Sequence, residues 1–231
     1  MNRKKISRIA MVACSLALVC MTMVMGVTYA LLSEKVTVKN HLQSGNLNVS
    51  LKRHQLEYQV LDATTGELKH NIINDVTAST PEGKNFTEPT DEGIFGIKEY
   101  DTMYVAPGSF FAATMAIYNE GQTAFDYDIT LELIGEPNEL AKQLKVTVTY
   151  SDGTTTAPKM LSELKGEGNR LLIDEGHMTA GQDQEAFTVR VEFIKDDTNN
   201  ATQAADQGSV EFDLVVNAVQ SERVVEETQA P

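Results

Sequence analysis

Residues 125–133 read Phe-Asp-Tyr-Asp-Ile-Thr-Leu-Glu-Leu. Phe125, Tyr127, Ile129, Leu131 and Leu133 alternate without a break with Asp126, Asp128, Thr130 and Glu132. A period of two places the apolar set on one face of a strand and the polar set on the other, whereas a helical period would mix them. The segment is therefore a strand with one face in a core and one in water. Just upstream, Glu120-Gly121-Gln122 reads as a turn that returns the chain from a preceding strand over 109–119. That strand begins after Ala106-Pro107-Gly108, where proline fixes φ and glycine permits a positive φ.

The same pattern extends in both directions. Toward the C-terminus, Pro137–Leu144 suits a short helix with proline in its first turn. Val146, Val148 and Tyr150 form a strand closed by Ser151-Asp152-Gly153, and Leu161 and Leu164 suit a second helical turn before a strand at Arg170–Ile173. Gly176–Asp183 reads as a loop. Phe187, Val189, Val191 and Phe193, then Val210, Phe212, Leu214, Val216 and Ala218, mark two strong closing strands. Toward the N-terminus, Leu47, Val49 and Leu51 alternate with Asn48, Ser50 and Lys52, and Leu56, Tyr58 and Val60 continue the series. Asp62–Gly66 is a turn and Leu68–Ile73 a return strand; a single bent ribbon fits the same residues. Met103-Tyr104-Val105 leads into the Pro-Gly turn. Residues 74–99, rich in Thr, Pro, Gly and acid, break both periods and form a long flap pinned by Ile94, Phe95 and Ile97. Roughly eight to ten strands at fairly regular spacing indicate an all-β, antiparallel β-sandwich with one or two short helices.

Charge and cysteine content narrow the function. The chain carries 19 basic and 33 acidic residues, a net −14. Arg3, Lys4, Lys5 and Arg8 are the charged residues of positions 1–30, so a product lacking those positions carries −18. An acidic excess of this size opposes binding to nucleic acid or anionic lipid. Both cysteines, Cys14 and Cys20, lie in a greasy run that has no charge from Ile9 to Leu32. The remainder can form neither disulfides nor thiolate metal sites, and it must rely on its core.

A basic start, an apolar run and Thr28-Tyr29-Ala30 describe an export signal cut after Ala30, where small residues suit a signal peptidase. The run is long enough that an uncleaved anchor is the alternative, and it would supply the chain's one membrane contact. The sequence divides into 1–30, signal peptide; 31–44, mature N-terminal segment; 45–220, β-sandwich; and 221–231, a charged tail without a sorting signal.

Thr28-Tyr29-Ala30 is followed by Ser33, Asn40, Leu42, Ser44-Gly45 and the alternating Leu47, Val49 and Leu51. This run resembles the N-terminus of the TasA/camelysin family, which Gram-positive bacteria export and a SipW-type signal peptidase cleaves. Leu32 and Glu34 stand where that family has an aromatic residue and Asp, and Asn48 replaces an Asp. The Pro-Gly turn, the Asn119–Gly121 turn and the closing Asn217–Gln220 also resemble the family's body. The resemblance implies a jelly-roll-like sandwich, secretion to the cell exterior or surface, and self-association into biofilm matrix fibres. It further implies that the new N-terminus donates a strand to a neighbour, with Leu32, Val36, Val38 and Leu42 as its anchors. The alternatives within the chain are that this segment is the first strand of its own sheet or a floppy tail.

Part of the same family is described as metallopeptidase. The four histidines, His41, His54, His70 and His177, do not form HExxH, and no Gly-x-Ser-x-Gly occurs. Asp126/Asp128 and Glu211/Asp213 lie two apart on outward strand faces, as solvated carboxylates do. Asp196, Asp197 and Asn199 offer oxygen atoms for a weak calcium site but lack EF-hand spacing. No enzyme activity or cofactor is expected. A secreted monomer that binds a glycan or protein through the 74–99 flap is the main alternative to the fibre subunit.

Overall fold

The computed structural model describes residues 30–41, 47–62, 65–86, 93–96, 103–181, 186–194 and 209–221, with 30–41 and 103–105 described as backbone. Twelve strands occupy these residues: β1 Ala30–His41, β2 Val49–Leu61, β3 Leu68–Asn74, β4 Lys84–Asn85, β5 Met103–Val105, β6 Phe110–Asn119, β7 Phe125–Ile134, β8 Leu144–Thr149, β9 Lys159–Met160, β10 Leu171–Met178, β11 Phe187–Phe193 and β12 Ser209–Gln220. One sheet runs β3-β2-β6-β11-β8-β9, with β4 added against β2. The other runs β10-β7-β12-β1-β5. Every pairing is antiparallel except β1 with β12, which is parallel.

The alternation in β7 is realised as drawn: Phe125, Tyr127, Ile129, Leu131 and Leu133 are buried and their neighbours face outward. With Phe212, Leu214 and Val216 of β12 they meet Leu51, Phe111, Ile117, Val146 and Val189 of the opposite sheet in one core. Phe95 joins the two layers, its ring 5.9 Å from Phe111 and 6.0 Å from Phe212. The result is a β-sandwich-like, all-β fold.

Several details differ from the sequence reading. No α-helix occurs among the described residues. Pro137–Leu144 makes one irregular turn, because Asn138 takes the Ala141 amide on its side chain (2.9 Å) and Gln143 N–H bonds Leu140 (2.9 Å) before β8 begins at Leu144. Short 3-10 turns stand at Leu161–Glu163 and Glu167–Asn169. Gly176 belongs to β10 and not to a loop. It lies opposite Tyr127, and a Cβ there would come within 3.1 Å of the Tyr127 hydroxyl, so glycine marks a close approach inside a strand.

In β2 the inward set changes from odd residues (Val49, Leu51) to even ones (Leu56), which a strict strand cannot do. A bulge between Arg53 and Gln55 supplies the missing step. Of the two readings of 56–73, the structure has the hairpin: β3 returns antiparallel along β2, from Leu61 opposite Leu68 to Gln55 opposite Asn74. The flap is partly strand: β4 pairs Lys84 and Asn85 with Arg53 and Lys52, and Phe86, Ile94 and Phe95 are buried. Ile97 lies outside the described residues.

Candidate functional site

Two places join segments distant in sequence. The first is the seat of β1. Leu31 to His41 pair with Ser209 to Val219 in parallel, eleven residues on each strand, and Ala30 to Leu32 pair with Val105 to Met103 on the other side. Leu32, Val36 and Val38 stand in register with Val210, Leu214 and Val216 of β12, which are buried in the core. Lys35 stands across from Asp213 and Lys39 from Asn217. Without β1, twelve-residue β12 would be an edge of a sheet holding β7 and β10. An uncovered edge offers unpaired main-chain groups along its length and templates the addition of another strand.

Of the residues singled out in the sequence, Ala30 opens β1, and Leu32, Val36 and Val38 share its register. Thr28, Tyr29 and Leu42 lie outside the described residues, as do Asp196, Asp197 and Asn199. The N-terminal segment thus occupies its own sheet, the arrangement the sequence left open beside donation to a neighbour.

The second place was missed in the sequence. Lys52 and Arg53, on β2, are both buried cations. Arg53 continues the inward series Val49, Leu51 and therefore points where a charge cannot stay unpaired. Asp75 meets it with both oxygens, 2.5 Å to Nε and 3.2 Å to Nη2, while Nη1 donates to the carbonyls of Ile94 (2.5 Å) and Gly96 (3.3 Å). The guanidinium lies 5.2 Å from the Phe86 ring centroid. On the other face, the Lys52 ammonium bonds Glu82 and Glu120 (2.5 Å to Glu120) and sits 4.7 Å from the Tyr118 ring centroid. Burial works to lower the Lys52 pKa, but the bonds and charges of Glu120 and Glu82 outweigh it and hold it above the ordinary value. The Lys52 hydrogen bond holds Glu120 below the usual carboxylate range, against its own desolvation. Extending the alternation one residue beyond Lys52 would have flagged a core-facing arginine in need of a carboxylate.

The remaining polar clusters have structural partners. His54 Nε2 lies 2.8 Å from the Tyr118 hydroxyl and His70 Nε2 2.9 Å from Glu57. His177 Nδ1 is 2.8 Å from Asp126 and 3.1 Å from the Ser221 hydroxyl. A serine, a histidine and an aspartate thus meet, but both oxygens address the same ring nitrogen. A relay needs the nucleophile on one nitrogen and the carboxylate on the other, so the trio cannot pass a proton as a triad does. Asp128 accepts from Asn217 Nδ2 at 2.8 Å. Burial holds Asp174 above its ordinary range, and the bond from the Tyr127 hydroxyl (2.9 Å) offsets part of this. No three metal-capable side chains cluster among the described residues. None of the described helices is long and apolar enough to cross a membrane.

Comparison with protein-family models, with characterised proteins and with solved structures returns no match. The sandwich and the two joining places therefore have to be interpreted on their own chemistry.

Proposed function

We propose that the chain is an exported structural protein, a TasA-like subunit of an extracellular matrix fibre, freed by a SipW-type peptidase and assembled by exchange of β1. The observation that carries this reading is the seat of β1. A strand that opens at the cut position supplies eleven residues of parallel pairing to β12, and β2 begins at Val49 in the opposite sheet. A terminal strand of this kind can leave one subunit's β12 and enter another's with the same register and the same hydrogen bonds. Exchange therefore alters little in energy per subunit, while concentration and the loss of the membrane-side segment decide its direction. Where each subunit gives its strand to one neighbour and receives one from another, the interaction is head-to-tail and propagates as a fibre, whereas a reciprocal swap closes as a dimer.

The resemblance at Thr28–Ala30 and Leu42–Leu51 supports the same reading, and the jelly-roll winding belongs with it. The net −18 of the cleaved product keeps subunits soluble until strand exchange overrides the repulsion. Deleting Leu31–Val38 from the cleaved protein tests the proposal. Loss of filaments by electron microscopy, with a body that stays soluble, is the expected result; filaments of unchanged length and number would refute it.

The flap-borne binding module is the second reading. It is favoured by the exposed outer surface of residues 76–82, and a protein that stays monomeric at high concentration in size-exclusion would support it.

A further inference from the structure

The outward edge of β2 is covered in two unequal ways. From Gln55 to Leu61 it pairs continuously with β3. From Leu51 to His54 its cover is residues 75–86, which touch it through two-residue β4, the Phe86 amide on the Leu51 carbonyl (2.9 Å) and the Asp75 and Val76 amides on the His54 carbonyl (2.8 and 3.3 Å). So few main-chain contacts hold a strand weakly. Side chains reinforce them: Asp75 on Arg53, Glu82 on Lys52, and buried Phe86 beside the cations of Arg53 and Lys84.

The segment is also a unit in itself. Thr77 N–H bonds the Thr80 carbonyl (3.1 Å), Gly83 N–H bonds the same carbonyl (3.0 Å), and the Thr80 hydroxyl donates to Asp75 O (2.7 Å). Val76 is 45% exposed, so of the two large apolar side chains in 75–86 just Phe86 enters the core. With one large side chain in the core, the segment is held by its two ion pairs and a few main-chain bonds, so it has less apolar burial to resist opening than the sandwich beneath it.

We propose that residues 75–86 form an electrostatically latched strap that opens as a unit while the sandwich stays folded, baring the main-chain edge of β2 from Leu51 to His54. The latch is specific in its parts. The groups around Lys52 are Glu82, Glu120 and the Tyr118 ring; those around Arg53 are Asp75, the Phe86 ring and the carbonyls of Ile94 and Gly96. Glu120 stays with the body when the strap lifts, so Lys52 keeps one carboxylate. Arg53 keeps none of those side-chain partners, which makes Asp75 the dominant hold. Gly83 fixes the fit from above: its φ is +90°, and a Cβ would fall 2.3 Å from the Arg53 carbonyl oxygen.

The strap and the β1 seat lie on different sheets, so this inference does not depend on the proposed fibre function. Native-state hydrogen exchange read by mass spectrometry on the cleaved full chain tests it. In a series of sub-denaturing urea concentrations, the amides of 77–86 should exchange at a rate nearly independent of urea and at least about a hundredfold faster than those of β6, β7 and β11. The D75N/E82Q double variant should speed strap exchange by about tenfold or more and keep the gap between strap and sandwich, because the latch is broken in both the open and the unfolded state; Gly176→Ala, which loosens the sandwich alone, should speed β6, β7 and β11 and leave the strap unchanged. Strap amides that follow the same steep urea dependence as β7 would overturn the proposal. So would a double variant that leaves strap exchange unaltered, or a Gly176→Ala variant that speeds the strap and the sandwich together.

Discussion

Replacing Arg53 by methionine removes the cation but keeps most of the side chain's length. The guanidinium is 3% exposed and its partner Asp75 10%, so the pair is nearly dry. The variant loses two bonds to Asp75 and the donors to the Ile94 and Gly96 carbonyls, and it leaves the Asp75 carboxylate unpaired at the protein's edge. Breaking a buried pair from one side costs about 3–5 kcal/mol, most of it the penalty on the survivor. Removing Asp75 as well, in R53M/D75L, takes that penalty away and returns about half or more of the loss, since an apolar pair of similar volume is often neutral. Equilibrium urea denaturation of the cleaved protein measures both, with the slope showing whether the unfolded transition stays cooperative. The cycle distinguishes a latch from mere packing: a coupling energy above about 1 kcal/mol is expected for residues in contact. If R53M alone changed stability by less than about 1 kcal/mol, the buried-pair reasoning would be wrong.

Gly176→Ala should destabilise by about 1–3 kcal/mol, because the added methyl meets the Tyr127 ring and hydroxyl at 3.1–3.3 Å; a melt within a degree of the parent would contradict this packing. The Lys52–Glu120 pair makes a prediction in acid. The Lys52 hydrogen bond holds the Glu120 carboxyl below its ordinary range in the folded state, so its contribution is present above that range and is lost as pH falls through the depressed pKa. Stability of the parent should therefore fall more steeply below about pH 4.5 than that of Glu120→Gln, which a pair of urea midpoints against pH would reveal. Parallel curves would remove the pair from the account.

The legibility of this fold follows from where water stands. Strands with one wet face, such as β7 and β11, declare themselves by alternation, and Phe125–Leu133 and Phe187–Phe193 match their strands to within a residue or two. Segments governed by local side-chain bonds do not. Asn138 diverts Pro137–Leu144 into a turn with its own amide oxygen, and Gly176 looks like loop until Tyr127 is placed opposite it. The parallel partner of β1 is a long-range choice that the alternation in 31–42 cannot encode, since a strand's period is the same whichever edge it joins. The latch was hidden for another reason. Lys52 and Arg53 appear as surface charge until the β2 bulge and the strap cover them, and the carboxylates that neutralise them come from residues 22 to 68 positions away. In contrast, the β1 seat was visible as a segment to watch, though not its direction or its partner strand.

The central claim is that β1 leaves its own β12 for a neighbour's. The cleaved product has no cysteine, so single cysteines report cleanly. Lys39 and Asn217 are register partners across β1 and β12. Lys39→Cys protein and Asn217→Cys protein, each made separately, are mixed under assembling conditions and treated with a short bis-maleimide. Strand exchange predicts abundant covalent heterodimers in the pelleted assemblies and few in the soluble fraction. Assemblies that form but yield no heterodimer above the level of either protein alone would contradict it.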